Sequence, residues 1–135
     1  MSIKEQTLVK EKYYNEAIRY MGNAKENLQK AGKEYNCYKD DKYVKSACGI
    51  AYSGVLKALD CYFILKEIPT QKKGKRKSKE YYTMNLTILD KKILGDFNAV
   101  YEVLHLSGYY DGLTNVKIIN AGFEVAYEII ERIKP

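Results

Sequence analysis

Apolar residues recur three and four positions apart along most of the chain, which is the spacing of helices with one buried face. A first helix is predicted from about Glu5 to Ala31, and Gly32 is placed to cap its carboxyl end. A polar linker from Lys33 to Lys39 follows, and Asp40 or Asp41 can cap the next helix. The apolar stripe of the first helix comprises Tyr14, Ala17, Ile18, Met21, Ala24, Leu28 and Ala31.

The second predicted helix, from about Lys42 to Glu67, is apolar on nearly every side. Its core face contains Val44, Ala47, Cys48, Ala51, Tyr52, Val55, Ala58, Leu59 and Tyr62. Its opposite face is not polar either, because it carries Gly49, Ile50, Ser53, Leu56 and Ile64. Between Ala47 and Leu65 only Lys57 and Asp60 are charged. A helix that is apolar nearly all round is buried nearly all round, so another surface must cover the outer face.

This outer face predicts a homodimer. A lone bundle would expose the face to water, whereas burial of about 800 Å² per partner is ordinary for a stable interface. Under two-fold symmetry Ser53 or Leu56 lies near the axis, and Lys57 reaches Asp60 of the other chain. The alternatives are that the first or third helix covers this face within one chain, and that Lys57 and Asp60 form a simple pair along one helix. The candidate interface residues are Gly49, Ile50, Ser53, Leu56, Lys57, Asp60 and Ile64.

Two further helices complete the expected fold. Pro69 ends the second helix, Ser78 caps a third that runs to about Ser107, and Gly95 is a candidate kink. Its inward residues are Leu86, Leu89, Ile93, Phe97, Val100 and Leu104. The turn Gly108–Gly112 ends this helix, and Thr114 caps a fourth. The fourth helix turns Ile119, Phe123, Ala126, Ile130 and Ile133 inward, and Ile118, Val125 and Ile129 widen the stripe. No segment has the pattern of a strand. We therefore expect an all-α, antiparallel up-and-down four-helix bundle that forms one domain over residues 1–135.

The formal net charge of +6 arises in one segment, the loop at residues 70–79. Six of the 23 basic residues lie there, and the remaining basic residues equal the 17 acidic ones in number. These candidate nucleic-acid contacts are Lys72, Lys73, Lys75, Arg76, Lys77 and Lys79. Six phosphate contacts would give strongly salt-dependent binding. The other interpretation is a solvated connection between helices that contributes little to folding.

Candidate chemistry is sparse. His105 is the one histidine of the chain, and it can act as a general acid or base. The alternative is a half-buried structural histidine that hydrogen-bonds a tyrosine. Glu102 and His105 have the spacing of a di-metal bundle ligand pair, but a second pair would need a second histidine. No phosphate-binding glycine motif occurs. The sequence therefore predicts no complete catalytic motif, no metal and no cofactor.

The cysteines and the amino terminus indicate the compartment. Cys48 and Cys61 lie nearly opposite each other around one predicted helix, so a disulfide between them is excluded, and Cys37 falls in the linker. No apolar signal region follows Met1. The longest uncharged stretch in the apolar centre, Ser46–Leu56, is far short of the about 20 residues that cross a bilayer. We expect a cytoplasmic protein without a membrane span.

Two segments resemble a known superfamily. They are Ala47–Tyr62, which reads Ala-Cys-Gly-Ile-Ala-Tyr-Ser-Gly-Val-Leu-Lys-Ala-Leu-Asp-Cys-Tyr, and Leu104–Gly112, which reads Leu-His-Leu-Ser-Gly-Tyr-Tyr-Asp-Gly. With the helices around them they are similar to the HEPN superfamily (higher eukaryotes and prokaryotes nucleotide-binding), and especially to its short prokaryotic branch. The superfamily includes substrate-binding partners of minimal nucleotidyltransferases and toxin ribonucleases. The resemblance implies a helical bundle, a dimer and a protein partner such as a nucleotidyltransferase.

HEPN ribonucleases carry an arginine, a polar neighbour and a histidine four to six residues further on. Upstream of His105 stand Asn98, Ala99, Val100, Tyr101 and Glu102, so the arginine is missing. The resemblance therefore implies a non-catalytic module, accessory to a partner that handles nucleotides or nucleic acid. Two alternatives are a divergent ribonuclease that uses His105 and a plain dimeric scaffold.

Overall fold

The computed structural model describes residues 1–69 and 77–135. Helices contain 79% of the described residues, so the all-α class is confirmed, although five α-helices, one π-helix and a two-stranded hairpin are present in this part of the chain. In chain order the elements are α1 (Ile3–Ala31), β1 (Lys33–Glu34), β2 (Cys37–Tyr38), α2 (Asp41–Leu65), α3 (Lys79–Leu89), α4 (Lys91–Val100), the π-helix (Tyr101–Tyr110) and α5 (Val116–Glu131).

Helices α1 and α2 form a long antiparallel pair at the centre of the fold. The Ser2 hydroxyl accepts from the Glu5 N–H to cap α1, and Gly32 ends it with a φ of 66°. The amino group of Met1 lies 3.6 Å from Glu67 beyond the end of α2. Between these ends, the buried residues of α1 are Ala17, Met21, Ala24, Leu28 and Ala31. The predicted cap of the first helix is confirmed, and of the predicted stripe only Tyr14 and Ile18 are half-buried.

The linker after α1 contains a hairpin, which corrects the expectation that no strand is present. Lys33 pairs with Tyr38 and Glu34 pairs with Cys37 in an antiparallel register. Tyr35 takes a positive φ of 58° in the turn. The hairpin also holds the start of α5, since the Val116 N–H donates to the Asn36 carbonyl at 2.9 Å. Strands of two residues are too short to show an alternating pattern in the sequence.

The predicted third helix is wrong as a single element, because it breaks at Asp90. Ser78 caps α3 as expected, but α3 ends at Leu89. Asp90 then leaves helical geometry with a φ of −161°, and its carboxylate accepts from the backbone N–H groups of Lys92 and Ile93. An aspartate that binds nearby backbone N–H groups favours a cap over a helix interior. The interruption is therefore at Asp90 and not at the predicted kink, Gly95.

Helix α4 runs directly into the π-helix, which replaces the predicted helix end at Ser107 and the predicted turn at Gly108. The π-helix packs its buried residues, Leu104 and Gly108, toward the core. A Cβ on Gly108 would collide with the Cys48 side chain of α2 and would lie 3.2 Å from the Val103 carbonyl. Gly108 therefore sets how closely the π-helix approaches α2.

Helix α5 closes the core. Asn115, and not the predicted Thr114, caps it, because the Asn115 side chain accepts from the Ile118 N–H at 2.9 Å. The predicted inward residues of the fourth helix are confirmed as buried: Ile119, Phe123, Ala126 and Ile130 on α5, and Ile133 just after its end. Ile129 is buried with them, whereas Ile118 is 43% exposed. Of the residues predicted inward on α3, α4 and the π-helix, only Leu89 is half-buried, and the others are buried.

Helix α2 is long and apolar enough to cross a membrane by length and composition alone, with a mean hydropathy of 1.4. Inside the fold, 44% of that apolar window is buried. Ala47, Ala51 and Val55 are fully buried, as the core face predicted from the sequence requires. The same composition is typical of a central core helix, which is the position of α2 in this fold.

The contact between Gly108 and Cys48 leads to a first prediction. Gly108→Ala should destabilise the protein by about 1–3 kcal/mol, because the added methyl group overpacks the junction of α2 and the π-helix. Thermal unfolding followed by circular dichroism measures the effect.

Gly22→Ala is the matched control for this substitution, since a Cβ at Gly22 on α1 has no heavy atom within 4 Å. The control should stabilise the protein by about 0.5–1 kcal/mol, because alanine favours the helix. If Gly108→Ala melts at or above the temperature of the unmodified protein, the junction is not as tight as described.

Candidate functional site

An open groove runs over the surface where α2, the start of α3 and the π-helix meet. It consists of two adjoining clefts of about 510 Å³ and about 370 Å³. Both clefts are lined by Tyr52, Leu56, His105 and Tyr110, so we treat them as one site, the His105 groove. One end adds Ser46, Gly49, Ile50, Ser53 and Tyr109. The other end adds Lys77, Ser78, Lys79, Tyr82 and Tyr101.

Four tyrosine rings surround the imidazole of His105. The Tyr52 ring of α2 stacks on it with ring centroids 4.6 Å apart. Tyr109 lies nearly parallel to it at 5.9 Å, and Tyr110 meets it edge-on at 5.0 Å. Tyr101 completes the cluster at 5.1 Å. On a π-helix, whose hydrogen bonds span five residues, positions four and five apart share a side, so three of these rings gather around His105.

The imidazole of His105 is half-buried and stacks on tyrosines instead of hydrogen-bonding to one. Within the described part of the chain, no group hydrogen-bonds either ring nitrogen. Burial lowers the pKa of His105 below its ordinary value of 6.5, because the charged imidazolium loses solvation. Burial also raises the pKa of Tyr52 to about 12, so both rings are neutral at pH 7. The groove thus presents a neutral imidazole whose hydrogen-bonding capacity is available to a ligand.

The basic residues at the other end of the groove differ in their surroundings. The Lys77 ammonium lies 3.1 Å from the Asp60 carboxylate, which also accepts from the Tyr82 hydroxyl at 2.9 Å. The Lys79 ammonium lies 4.4 Å from the centre of the Tyr101 ring. Among the described residues no carboxylate pairs with Lys79. Lys79 therefore supplies an uncompensated positive charge to the groove. The other predicted nucleic-acid contacts, Lys72, Lys73, Lys75 and Arg76, lie outside the described residues.

The candidate interface residues divide between two surfaces. Gly49, Ile50, Ser53 and Leu56 line the His105 groove, where the Tyr109 ring already covers Gly49. Lys57 lines a separate cleft with Lys12, Tyr13 and Glu16 of α1.

Asp60 and Ile64 complete that predicted set. Asp60 was predicted to meet Lys57 of a second chain, but it has in-chain partners in Lys77 and Tyr82. Ile64 is half-buried. The outer face of α2 is thus covered at both ends within the chain and left open between them, at Ser53 and Leu56.

Metal and thiol chemistry are not supported in the described part of the chain. No group of three or more histidine, cysteine and acidic side chains there could hold a metal ion. Cys48 and Cys61 are buried, and burial raises the pKa of their thiols to about 12 and about 11. Thiols with raised pKa values are poor nucleophiles at neutral pH. Cys37 is exposed, as its place in the linker predicts.

Sequence reasoning identified His105, Lys77 and Lys79 but missed the aromatic cluster around them. Tyr109 and Tyr110 became site residues because the π-helix continues past Gly108, where a turn was expected, and Tyr101 lies four residues before His105 on the same helix. The available signal was the excess of tyrosine, 14 residues against 3 phenylalanines, since tyrosine favours the edges of cores and binding surfaces.

Comparisons with known proteins place the chain among proteins of the same fold. Residues 12–135 match a family described as a domain of unknown function (DUF5618). The chain is also similar to the solved structure of a protein of unknown function from Dyadobacter fermentans, with 43% identity and a TM-score of 0.79. This similarity covers 92% of the chain and 94% of that structure. No curated protein matches the chain.

The environment of His105 gives a second prediction. Its pKa in the folded protein should be below 6.5, because burial disfavours the imidazolium. Since the unfolded state then takes up its proton first, the folded protein should lose stability as the pH falls from 6.5 to the folded pKa. Above pH 6.5 this residue should contribute no pH dependence.

Ring nitrogen shifts in ¹⁵N NMR give this pKa directly, because the chain has one histidine. Removing the stacked Tyr109 ring by Tyr109→Ala should raise the pKa toward 6.5, and the equivalent change at the exposed Tyr35 should not. A pKa at or above 6.5 in the unmodified protein would mean that the imidazole is solvated or paired with a carboxylate.

Proposed function

The chain belongs to the DUF5618 family, and we propose that this member is a non-catalytic, HEPN-like module that binds single-stranded RNA or nucleotides through the His105 groove. The observation that carries the proposal is the half-buried imidazole of His105. It has no hydrogen-bond partner among the described residues and lies between tyrosine rings in an open groove. Because the groove is open, the ring nitrogens that water can reach are also available to hydrogen-bond a ligand that stacks on the adjacent rings.

The aromatic rings suit the faces of nucleobases. Tyr109 and Tyr110 are 44% and 62% exposed, so their rings are accessible beside the groove. Stacking of one base on an aromatic side chain contributes roughly 1–3 kcal/mol and tolerates any base. The position of the two rings next to His105 allows stacking and hydrogen bonding by the same ligand.

The positive charge of Lys79 suits the phosphate of such a ligand. Its ammonium lies at the groove, held over the Tyr101 ring and not by an acidic side chain. Lys77, the last of the predicted basic contacts before Lys79, lines the same end of the groove. Binding through these residues should release counterions and weaken as salt is added.

A divergent ribonuclease is the second candidate. The lowered pKa of His105 favours it, because a neutral imidazole can accept a proton at pH 7. Against it, the described residues that line the groove include no arginine and no carboxylate that could share the chemistry. The Asp60 carboxylate is engaged by Lys77 and Tyr82 instead.

The assembly of the module is part of the same proposal. We propose a cytoplasmic, prokaryotic protein with one domain over residues 1–135, in which α3, α4 and the π-helix together form the third arm of an antiparallel HEPN-type four-helix bundle. The proposal includes a homodimer that acts beside a protein partner such as a nucleotidyltransferase, and it is supported by Lys57 and Ile64, the half-buried residues of the predicted interface that do not line the His105 groove. Light scattering should give a molecular mass of about 31 kDa, twice that of the 15.6 kDa chain. A mass of 15.6 kDa at high micromolar protein concentration would contradict the proposed dimer.

RNA binding tests the function. A ten-nucleotide, fluorescently labelled RNA should bind the protein, and its affinity should fall when salt rises from 50 to 200 mM. Tyr110→Ala should weaken binding by about 5- to 150-fold, the equivalent of one stacked base. His105→Ala should weaken it as well. Fluorescence anisotropy measures these affinities.

The control for the RNA experiment is Tyr35→Ala, since Tyr35 is 96% exposed in the hairpin turn and does not line the groove. It should bind like the unmodified protein. Gel electrophoresis of the same samples should show intact RNA. RNA cleavage that disappears in His105→Ala would show that the protein is a ribonuclease instead. A dimer that binds neither RNA nor nucleotides would favour the plain dimeric scaffold.

A further inference from the structure

The two ends of the His105 groove differ in charge, and this difference extends the proposed function on which it rests. The end at Gly49, Ile50 and Tyr109 has no charged lining residue among those described. The end at Ser78 has Lys77 and Lys79, with the side chains of Tyr82 and Tyr101 beside them. The middle, with Tyr52 and His105, belongs to both ends.

From this polarity we propose that the groove recognises one nucleoside monophosphate unit, either free or at the phosphorylated end of a strand. The base stacks on Tyr109 at the end without a charge, and the phosphate binds at the Lys79 end. A strand that passed through the groove would place a phosphate beyond each base, including at the end without a cation. Among the described lining residues, positive charge is available for a phosphate at one end only.

The size of the groove agrees with a single unit. Its clefts of about 510 Å³ and about 370 Å³ share a wall and lie within the range of small-molecule sites. His105 stands between the stacking end and the charged end. A nitrogen of its ring is therefore placed to hydrogen-bond the sugar or the phosphate that joins them.

The charges near His105 match a monophosphate. On α2 the Asp60 carboxylate lies 3.1 Å from the Lys77 ammonium and offsets its positive charge. At the start of α3, Lys79 has no acidic partner among the described residues. On the π-helix the neighbours are Tyr101, Tyr109 and Tyr110, and the burial of His105 keeps its ring neutral at pH 7. Among the described residues the charged end thus presents about one net positive charge, from Lys79, since Asp60 offsets Lys77.

Calorimetric titrations of the full chain test this proposal with five probes: inorganic phosphate, uridine, uridine monophosphate, a ten-nucleotide RNA with a terminal phosphate, and the same RNA without it. The monophosphate should bind at least about tenfold more tightly than uridine, and inorganic phosphate should bind more weakly than the monophosphate. The RNA should bind more tightly when its end is phosphorylated.

Two substitutions test which part of the ligand binds at each end of the groove. Lys79→Met should reduce the affinity for the monophosphate to that for uridine and leave uridine binding unchanged. Tyr109→Ala should weaken the binding of uridine and of its monophosphate by the same factor. The matched control is Lys25→Met, because the Lys25 ammonium also lies over a tyrosine ring, Tyr127, at 4.8 Å but lines no part of the groove. Circular dichroism establishes that each variant is folded.

The outcomes separate this inference from the function on which it rests. Equal affinities for uridine and its monophosphate would contradict the proposal that the base and the phosphate bind at opposite ends of the groove. An equal effect of Lys79→Met on the affinities for these two ligands would contradict it as well. If the RNA binds equally well with and without its terminal phosphate and the monophosphate does not bind, the groove accommodates a strand, so the proposed function stands and this inference fails. If none of the nucleoside or RNA probes binds, both fail.

Discussion

The close approach of α2 to the π-helix is the contact on which the rest of the structure depends. It exists because Gly108 has no side chain to collide with Cys48 and because Gly49 leaves room for the Tyr109 ring. A larger residue at either glycine would move the π-helix away from α2. The stacking of Tyr52 on His105 at 4.6 Å, and with it the floor of the groove, would be lost. Core packing and the candidate site are thus consequences of the same backbone approach.

Much of the fold could be predicted because local chemistry and periodicity agree. Gly32, Asp40 and Ser78 act as the caps that their residue types favour, and the buried stripes follow helical spacing. The break at Asp90 could not be predicted, because the buried residues on either side of it, Leu86 and Ile93, keep the spacing of a continuous helix. The spacing of the buried side chains is the same for a continuous helix and for a helix interrupted at Asp90, so this spacing does not reveal the break.

The site was harder to predict than the fold for a related reason. Val100, Leu104 and Gly108 are spaced four apart, which an α-helix and a π-helix both accommodate, so the change of helix type leaves no mark in the apolar pattern. That change decides where Tyr109 and Tyr110 lie. Four residues of the outer face of α2, Gly49, Ile50, Ser53 and Leu56, line a groove that this π-helix also lines.

The most direct test of the account is whether a ligand contacts His105. Protein labelled with ¹⁵N only at its single histidine would be titrated with uridine monophosphate, and the two ring nitrogens followed by NMR. The account predicts a saturable shift of the ring resonances at the concentration where calorimetry shows binding, and the loss of that shift in Tyr110→Ala. Ring resonances that do not move while calorimetry shows saturation would place the ligand elsewhere and contradict the assignment of the groove.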